Sequence, residues 1–108
     1  EEDIDRITAI SGSGPAYLFE FTCALECAAK EIGLPEKLAN KFALQTVTGA
    51  SKLLANSGLH PEELRDQVTS PKGTTQAALE SLEKNNLRKI VQDAVEAAKA
   101  RSIELSNA

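Results

Sequence analysis

Residues 14–33 read GPAYLFEFTCALECAAKEIG, a stretch bounded by a Gly-Pro pair and by a second glycine. Proline in the first turn of a helix loses only an amide that would be unpaired there, and glycine commonly follows a helix end. The stretch therefore predicts a helix from Gly14-Pro15 to about Ile32, ended by Gly33. Its apolar residues surround most of the helix: Ala16, Leu18, Phe19, Phe21, Ala24, Leu25, Ala28 and Ile32. A helix that is apolar on most sides is buried on most sides.

Helix signals continue on both sides of this stretch. The segment Glu1–Ile10 has isoleucines three apart and fits the end of a helix that starts upstream. Prolines, glycines and capping residues predict four more helices, spanning about 35–56, 61–68, 74–84 and 87 onward. No period-2 run of β-branched or aromatic residues indicates a strand. The sequence predicts an all-α, five-helix domain over residues 1–108.

The two long helices carry more apolar surface than one small chain can cover. The second of them, about 35–56, also has a run of small residues at Thr48, Gly49, Ala50 and Ser51, which permits close approach of another backbone. Small domains bury a smaller share of their surface than large ones do. We therefore expect a second copy of the chain to cover these helices, in an intertwined homodimer or a larger assembly of such dimers.

Composition excludes several classes of partner. Lys and Arg number 12 against 16 Asp and Glu, and the net charge of −4 does not suit a nucleic acid or an anionic membrane. No apolar run of about 18 residues and no signal peptide is present, so we expect a soluble, cytoplasmic protein. Cys23 and Cys27 lie four apart in a helical pattern with no histidine nearby. They predict core thiols, with no metal site and no disulfide framework.

The stretch whose residues are best suited to bind a ligand is Asp66–Thr75, which reads DQVTSPKGTT. It leads directly into a helix start, where free amides and the helix dipole attract anions. Gly73 permits close approach of a ligand, and the charge of Lys72 makes the local electrostatic potential more positive. Capping of the helix by Thr74 or Thr75 after an ordinary turn explains the same residues. From spacing alone both interpretations stay open.

Two other features have structural interpretations. Gly12 and Gly14 superficially suggest a dinucleotide-binding loop, but the preceding strand, the third glycine and the βαβ unit of that fingerprint are missing. A tight turn that leads into a helix accounts for Ser11–Pro15. His60, the only histidine, precedes Pro61 at a helix start and has no titratable partner beside it in sequence. It is predicted to be a surface or capping residue.

Four motifs together resemble the pyrroline-5-carboxylate reductase family, and their order and intervals match over essentially the whole chain. They are SGSGPAY at 11–17, GLP at 33–35, QTV at 45–47 and DQVTSPKGTT at 66–75. The positions from Pro61 to Glu83 look like that family's signature pattern. The resemblance implies an oxidoreductase of proline biosynthesis that reduces pyrroline-5-carboxylate to L-proline with NADPH or NADH. It also implies a cofactor held mainly by an N-terminal Rossmann domain, with this chain as the C-terminal dimerisation domain.

The resemblance also implies roles for individual residues. The backbone of Ser70, Gly73 and Thr74 would hold the substrate carboxylate, and the catalytic Thr75 hydroxyl would hydrogen-bond the ring nitrogen. The loop Gly12, Ser13, Gly14 and Pro15 would lie near the nicotinamide. Lys72 departs from the family pattern, because this position is often glycine there.

Two other functions compete with this interpretation. A non-enzymatic helical dimerisation module would need only the apolar helices, and the loop 70–75 would be a plain turn. A related two-domain NAD(P)-dependent dehydrogenase would share the architecture and act on a different substrate. The motif match argues against the second, and the loop chemistry argues against the first.

Overall fold

A computed structural model describes residues 2–108, and Glu1 lies outside the described residues. The described part is all-helical: α1 Glu2–Ile7, a π-helix Thr8–Gly12, α2 Gly14–Glu31, α3 Glu36–Ser57, α4 Pro61–Gln67, α5 Thr74–Lys84 and α6 Leu87–Ser106. The predicted all-α fold, with five helices after an opening helical segment, is confirmed. No helix in this part of the chain is both long enough and apolar enough to cross a membrane.

The helix ends follow the predicted glycine and proline signals. Gly33, with φ +105°, ends α2 in a Schellman motif: its N–H donates to the Lys30 carbonyl, and the Leu34 N–H donates to the Ala29 carbonyl. Gly58 ends α3 in the left-handed region, with φ +71°. Pro35 is the N-cap of α3 rather than its first residue. The local signals thus placed each end within a residue or two.

The chain divides into two compact units, of which the first comprises residues 1–17 and 71–108. Here α1, the π-helix and α5 each pack against α6. Ala9 of the π-helix is fully buried, because only a methyl group fits where this turn meets its neighbours. The Ser102 hydroxyl donates to the Asp5 carboxylate at 2.7 Å and joins α6 to α1. These contacts fix the two ends of the described chain to each other.

The second unit comprises residues 18–70, with most of α2, all of α3 and α4. Its buried side chains are two alanines one turn apart on α3, Ala39 and Ala43, and Leu64 on α4. The large apolar side chains of α2 and α3 stay exposed, among them Phe19 at 67% and Leu44 at 61%. A single chain therefore provides this unit with almost no core.

The two cysteines correct one prediction. Cys23 and Cys27 are free thiols, as expected, but within this chain both are exposed rather than part of a core. Their exposure is shared by the whole helix, since α2 contains no buried residue in the single chain. Helical periodicity indicated that this helix has to be covered, but not by which chain.

Candidate functional site

The segment that enters the candidate site is anchored at the end of α4. The Thr69 hydroxyl donates to the Arg65 carbonyl at 2.6 Å, and the Thr69 N–H donates to the Asp66 carbonyl at 3.2 Å. Arg65 also pairs with the Asp66 carboxylate at 3.0 Å on the surface. These bonds satisfy carbonyls that the end of a helix leaves unpaired. They fix the backbone directly before Ser70.

The turn that follows requires an unusual backbone conformation at Lys72. Its φ is +61°, in the left-handed region that side chains with a Cβ disfavour. This value explains why glycine suits the position. The Lys72 N–H donates to the side-chain Oε1 of Gln76, one turn into α5. Gln76 was not identified from the sequence, because the capping-box pattern needs Ser, Thr, Asp or Asn three residues earlier and position 73 is glycine.

Two substitutions test the conformation of Lys72. Lys72→Gly is expected to change the free energy of unfolding by less than about 0.5 kcal/mol, because relief of strain is offset by the greater freedom of glycine in the unfolded chain. Lys72→Val is expected to lower it by about 1–2 kcal/mol, because a β-branched residue tolerates this region poorly. Urea unfolding followed by circular dichroism measures both. Equal stability of the two variants would contradict the left-handed assignment.

The first turn of α5 brings three of the predicted site residues together. Gly73 is the N-cap, with φ −89° and ψ −177°, and Thr74 and Thr75 are the first two helical residues. The alternative in which Thr74 or Thr75 caps the helix is not found, because the cap falls on Gly73, which has no side chain. The first amides of a helix have no intrahelical partner. With no side-chain cap, these amides and the positive end of the dipole suit a carboxylate.

Thr75 is the more enclosed of the two threonines: its side chain is half-buried, whereas that of Thr74 is exposed. A half-buried hydroxyl next to free amides can hydrogen-bond a ligand whose anionic group sits on those amides. Ser70 lies at the end of the second unit, whereas Gly73, Thr74 and Thr75 belong to the first. The role of Ser70 therefore stays a prediction.

The loop Gly12–Pro15 is not the simple tight turn that the sequence predicted. Gly12 closes the π-helix, Ser13 is a single turn residue, and Gly14-Pro15 begins α2. The reason is a widened helical turn: the Ser13 N–H donates to the carbonyl of Thr8, five residues back, at 2.9 Å. Such π-turns occur mostly as single interruptions and often at functional sites.

The composition of this loop favours an uncharged ligand group over a phosphate. A Cβ built on Gly14 meets no atom within 4 Å, so a planar group can approach the backbone there. The loop 12–15 offers a serine hydroxyl and backbone groups, and it contains no cation. Uncharged donors and acceptors match a carboxamide, whereas phosphates prefer cations or several converging amides. The chemistry of these residues is therefore compatible with the predicted cofactor contact.

His60 has a structural role. His60 is the N-cap of α4, and its Nδ1 accepts a hydrogen bond from the Glu62 N–H at 3.1 Å, which confirms the capping prediction. Among the side chains of residues 3–108, no three of His, Cys, Asp or Glu cluster in a way that could hold a metal ion.

Comparison with known proteins gives one consistent family. The chain is 44% identical over 106 residues to a pyrroline-5-carboxylate reductase of Pseudomonas aeruginosa and 47% identical over 106 residues to one of Arabidopsis thaliana. Each match covers 98% of this chain but only 39% and 38% of the relative. The chain thus spans about two fifths of the length of these relatives.

Solved structures agree with the sequence relatives. A pyrroline-5-carboxylate reductase of Coxiella burnetii superposes on 97% of this chain with a TM-score of 0.92 and 43% identity. A pyrroline carboxylate reductase of Plasmodium falciparum, solved with NADP bound, superposes on 94% with a TM-score of 0.89 and 41% identity. This chain covers 39% of each of those chains. The model of the pyrroline-5-carboxylate reductase dimerisation family matches residues 1–105, and the chain belongs to that family.

Proposed function

We propose that this chain is the dimer-forming and substrate-binding part of an enzyme that reduces 1-pyrroline-5-carboxylate to L-proline, the last step of proline biosynthesis. NADPH or NADH is the proposed cofactor, held mainly by a domain outside this chain. The observation that supports the proposal most directly is the first turn of α5. There, Gly73 leaves the helix amides without a side-chain cap, and Thr75 stands beside them in a chain of this family.

The proposed site acts mainly by orienting the substrate. The amides of the first α5 turn hold the carboxylate of the substrate, and the Thr75 hydroxyl hydrogen-bonds the ring nitrogen. A hydrogen bond to an imine nitrogen makes the imine carbon a better hydride acceptor. The cofactor, when bound, would supply that hydride, and a proton from solvent on the ring nitrogen completes the reduction of the C=N bond to the amine. Holding the imine at a fixed angle converts a bimolecular encounter into a reaction between aligned groups.

We further propose that two copies of the chain form an intertwined homodimer. Within one chain, large apolar side chains of α2 and α3 are exposed, among them Phe19 at 67% and Leu44 at 61%. Obligate dimer interfaces bury apolar faces of this kind. Family membership supports a dimerising role, and identical copies supply matching apolar faces. The cytoplasmic location expected from the sequence stays a prediction.

The full-length gene product provides the test. We expect it to oxidise NADPH or NADH when pyrroline-5-carboxylate is added and to form L-proline in equal amount. Residues 1–108 alone are expected to form the dimer and to reduce nothing. A dimeric full-length protein without activity would favour the non-enzymatic module. Activity with another imine or keto acid, but not with pyrroline-5-carboxylate, would favour a related dehydrogenase.

A further inference from the structure

Tyr17 connects the start of α2 to the π-helix that precedes it. Its hydroxyl donates to the carbonyl of Ala9 at 2.7 Å, across eight residues of sequence. The Tyr17 side chain is half-buried, and Ala9 is fully buried. Tyr17 ends the SGSGPAY motif, and no role is implied for it by the family resemblance. Its bond closes a loop that contains all of Gly12–Pro15.

The π-helix is what makes the Ala9 carbonyl available. In an α-helix this carbonyl would accept from the Ser13 N–H, but that N–H donates to Thr8 instead, at 2.9 Å. A buried carbonyl without a donor is unfavourable. The tyrosine hydroxyl supplies the donor that the widened turn has displaced. The π-turn and the tyrosine hydrogen bond therefore stabilise each other.

The same segment has a second interruption of the backbone hydrogen-bond ladder, and the Tyr17–Ala9 bond also spans it. Pro15 has no N–H, so it cannot donate to the carbonyl of Ser11, its α-helical acceptor. The regular α-helical hydrogen-bond ladder is therefore interrupted at the widened turn Thr8–Ser13 and again at the start of α2. The Tyr17–Ala9 bond lies across both. It is the tertiary restraint best placed to give Gly12–Pro15 a single conformation.

We propose that Tyr17 is a positioning residue for the Gly12–Pro15 loop, and that it acts by holding the Ala9 carbonyl so that the loop is preorganised for the nicotinamide end of the cofactor. The inference rests on the proposed function, because that function needs NADPH or NADH and the family resemblance implies that this loop lies near the nicotinamide. Preorganisation raises affinity by removing the cost of ordering a loop on binding. The hydroxyl itself contacts neither substrate nor cofactor in this scheme.

The test uses Tyr17→Phe in the full-length protein, because phenylalanine keeps the ring and removes only the hydrogen bond. We expect amide hydrogen exchange in residues 11–16 of the cofactor-free protein to accelerate by about tenfold. We also expect the dissociation constant for NADPH, measured by fluorescence titration, to rise by about five- to tenfold. The KM for NADPH is expected to rise with it, while kcat changes by less than about twofold.

Thr22→Val is the matched control, because the Thr22 hydroxyl also donates to a backbone carbonyl of α2, that of Leu18, at 2.8 Å. It lies outside the loop, so this variant is expected to leave both loop exchange and NADPH affinity unchanged. Unchanged exchange and affinity in Tyr17→Phe, with an active wild type, would overturn this inference and leave the proposed function intact. A wild type that neither binds NADPH nor reduces the imine would overturn both.

Discussion

Replacing Thr75 with alanine in the full-length protein is expected to lower the rate of pyrroline-5-carboxylate reduction by roughly ten- to a thousandfold, the range found when one positioned donor is removed. The Thr75 hydroxyl is proposed to hydrogen-bond the ring nitrogen. The charge on this nitrogen changes as the hydride reaches the neighbouring carbon. Loss of the hydroxyl therefore destabilises the transition state more than the bound substrate. Steady-state kinetics are expected to show a fall in kcat and kcat/KM with a smaller change in KM.

Two control variants distinguish this role of Thr75 from a loss of stability of α5. Thr75→Ser keeps a hydroxyl at the same position and is expected to recover most of the activity. Ser81→Ala removes an exposed hydroxyl six residues further along the same helix and is expected to retain full activity. Full activity in Thr75→Ala would leave the reductase assignment standing and would remove Thr75 from the site. An equal loss in Ser81→Ala would assign the effect to helix stability.

Introducing a charge at Phe19 is expected to dissociate the dimer. Phe19 is 67% exposed within its own chain, so Phe19→Asp removes few contacts inside one copy. If a second copy covers it, the lost apolar contact alone amounts to about 3 kcal/mol per copy, or about 6 kcal/mol per symmetric dimer. Each 1.4 kcal/mol is tenfold in the dissociation constant, so the dimer weakens by roughly four orders of magnitude. Light scattering over a concentration series measures the change.

Gln92→Asp adds the same charge at an exposed polar position of α6 and is expected to remain dimeric. A Phe19→Asp protein with the dimer mass and unchanged melting temperature would show that α2 is not covered by another chain at this position. Monomeric wild-type protein at micromolar concentration would contradict the dimer proposal as a whole. A monomeric or unfolded Phe19→Asp beside a dimeric Gln92→Asp supports it.

Local sequence signals predicted most of the fold because helix ends depend on nearby residues. Gly33 and Gly58 mark ends since they take positive φ without strain, and Pro61 fits the first turn after the His60 cap. For the candidate site, the sequence predicted the segment 66–75 but not which of its residues caps α5. Helix propensity could not decide whether Thr74 or Gly73 is the cap, because both residues are acceptable there. The structure placed the cap at Gly73, which leaves the threonine side chains for other contacts.

The sequence by itself determined the helical class, the positions of the breaks and the family, because these follow from residue types at short spacing and from motifs in order. Only the tertiary structure showed the π-helix at Thr8–Gly12, its bond to Tyr17 and the contact of Gln76 with Lys72. Each of these depends on which donor reaches a displaced or strained backbone group. That choice is a matter of three-dimensional geometry, for which helical periodicity carries no signal.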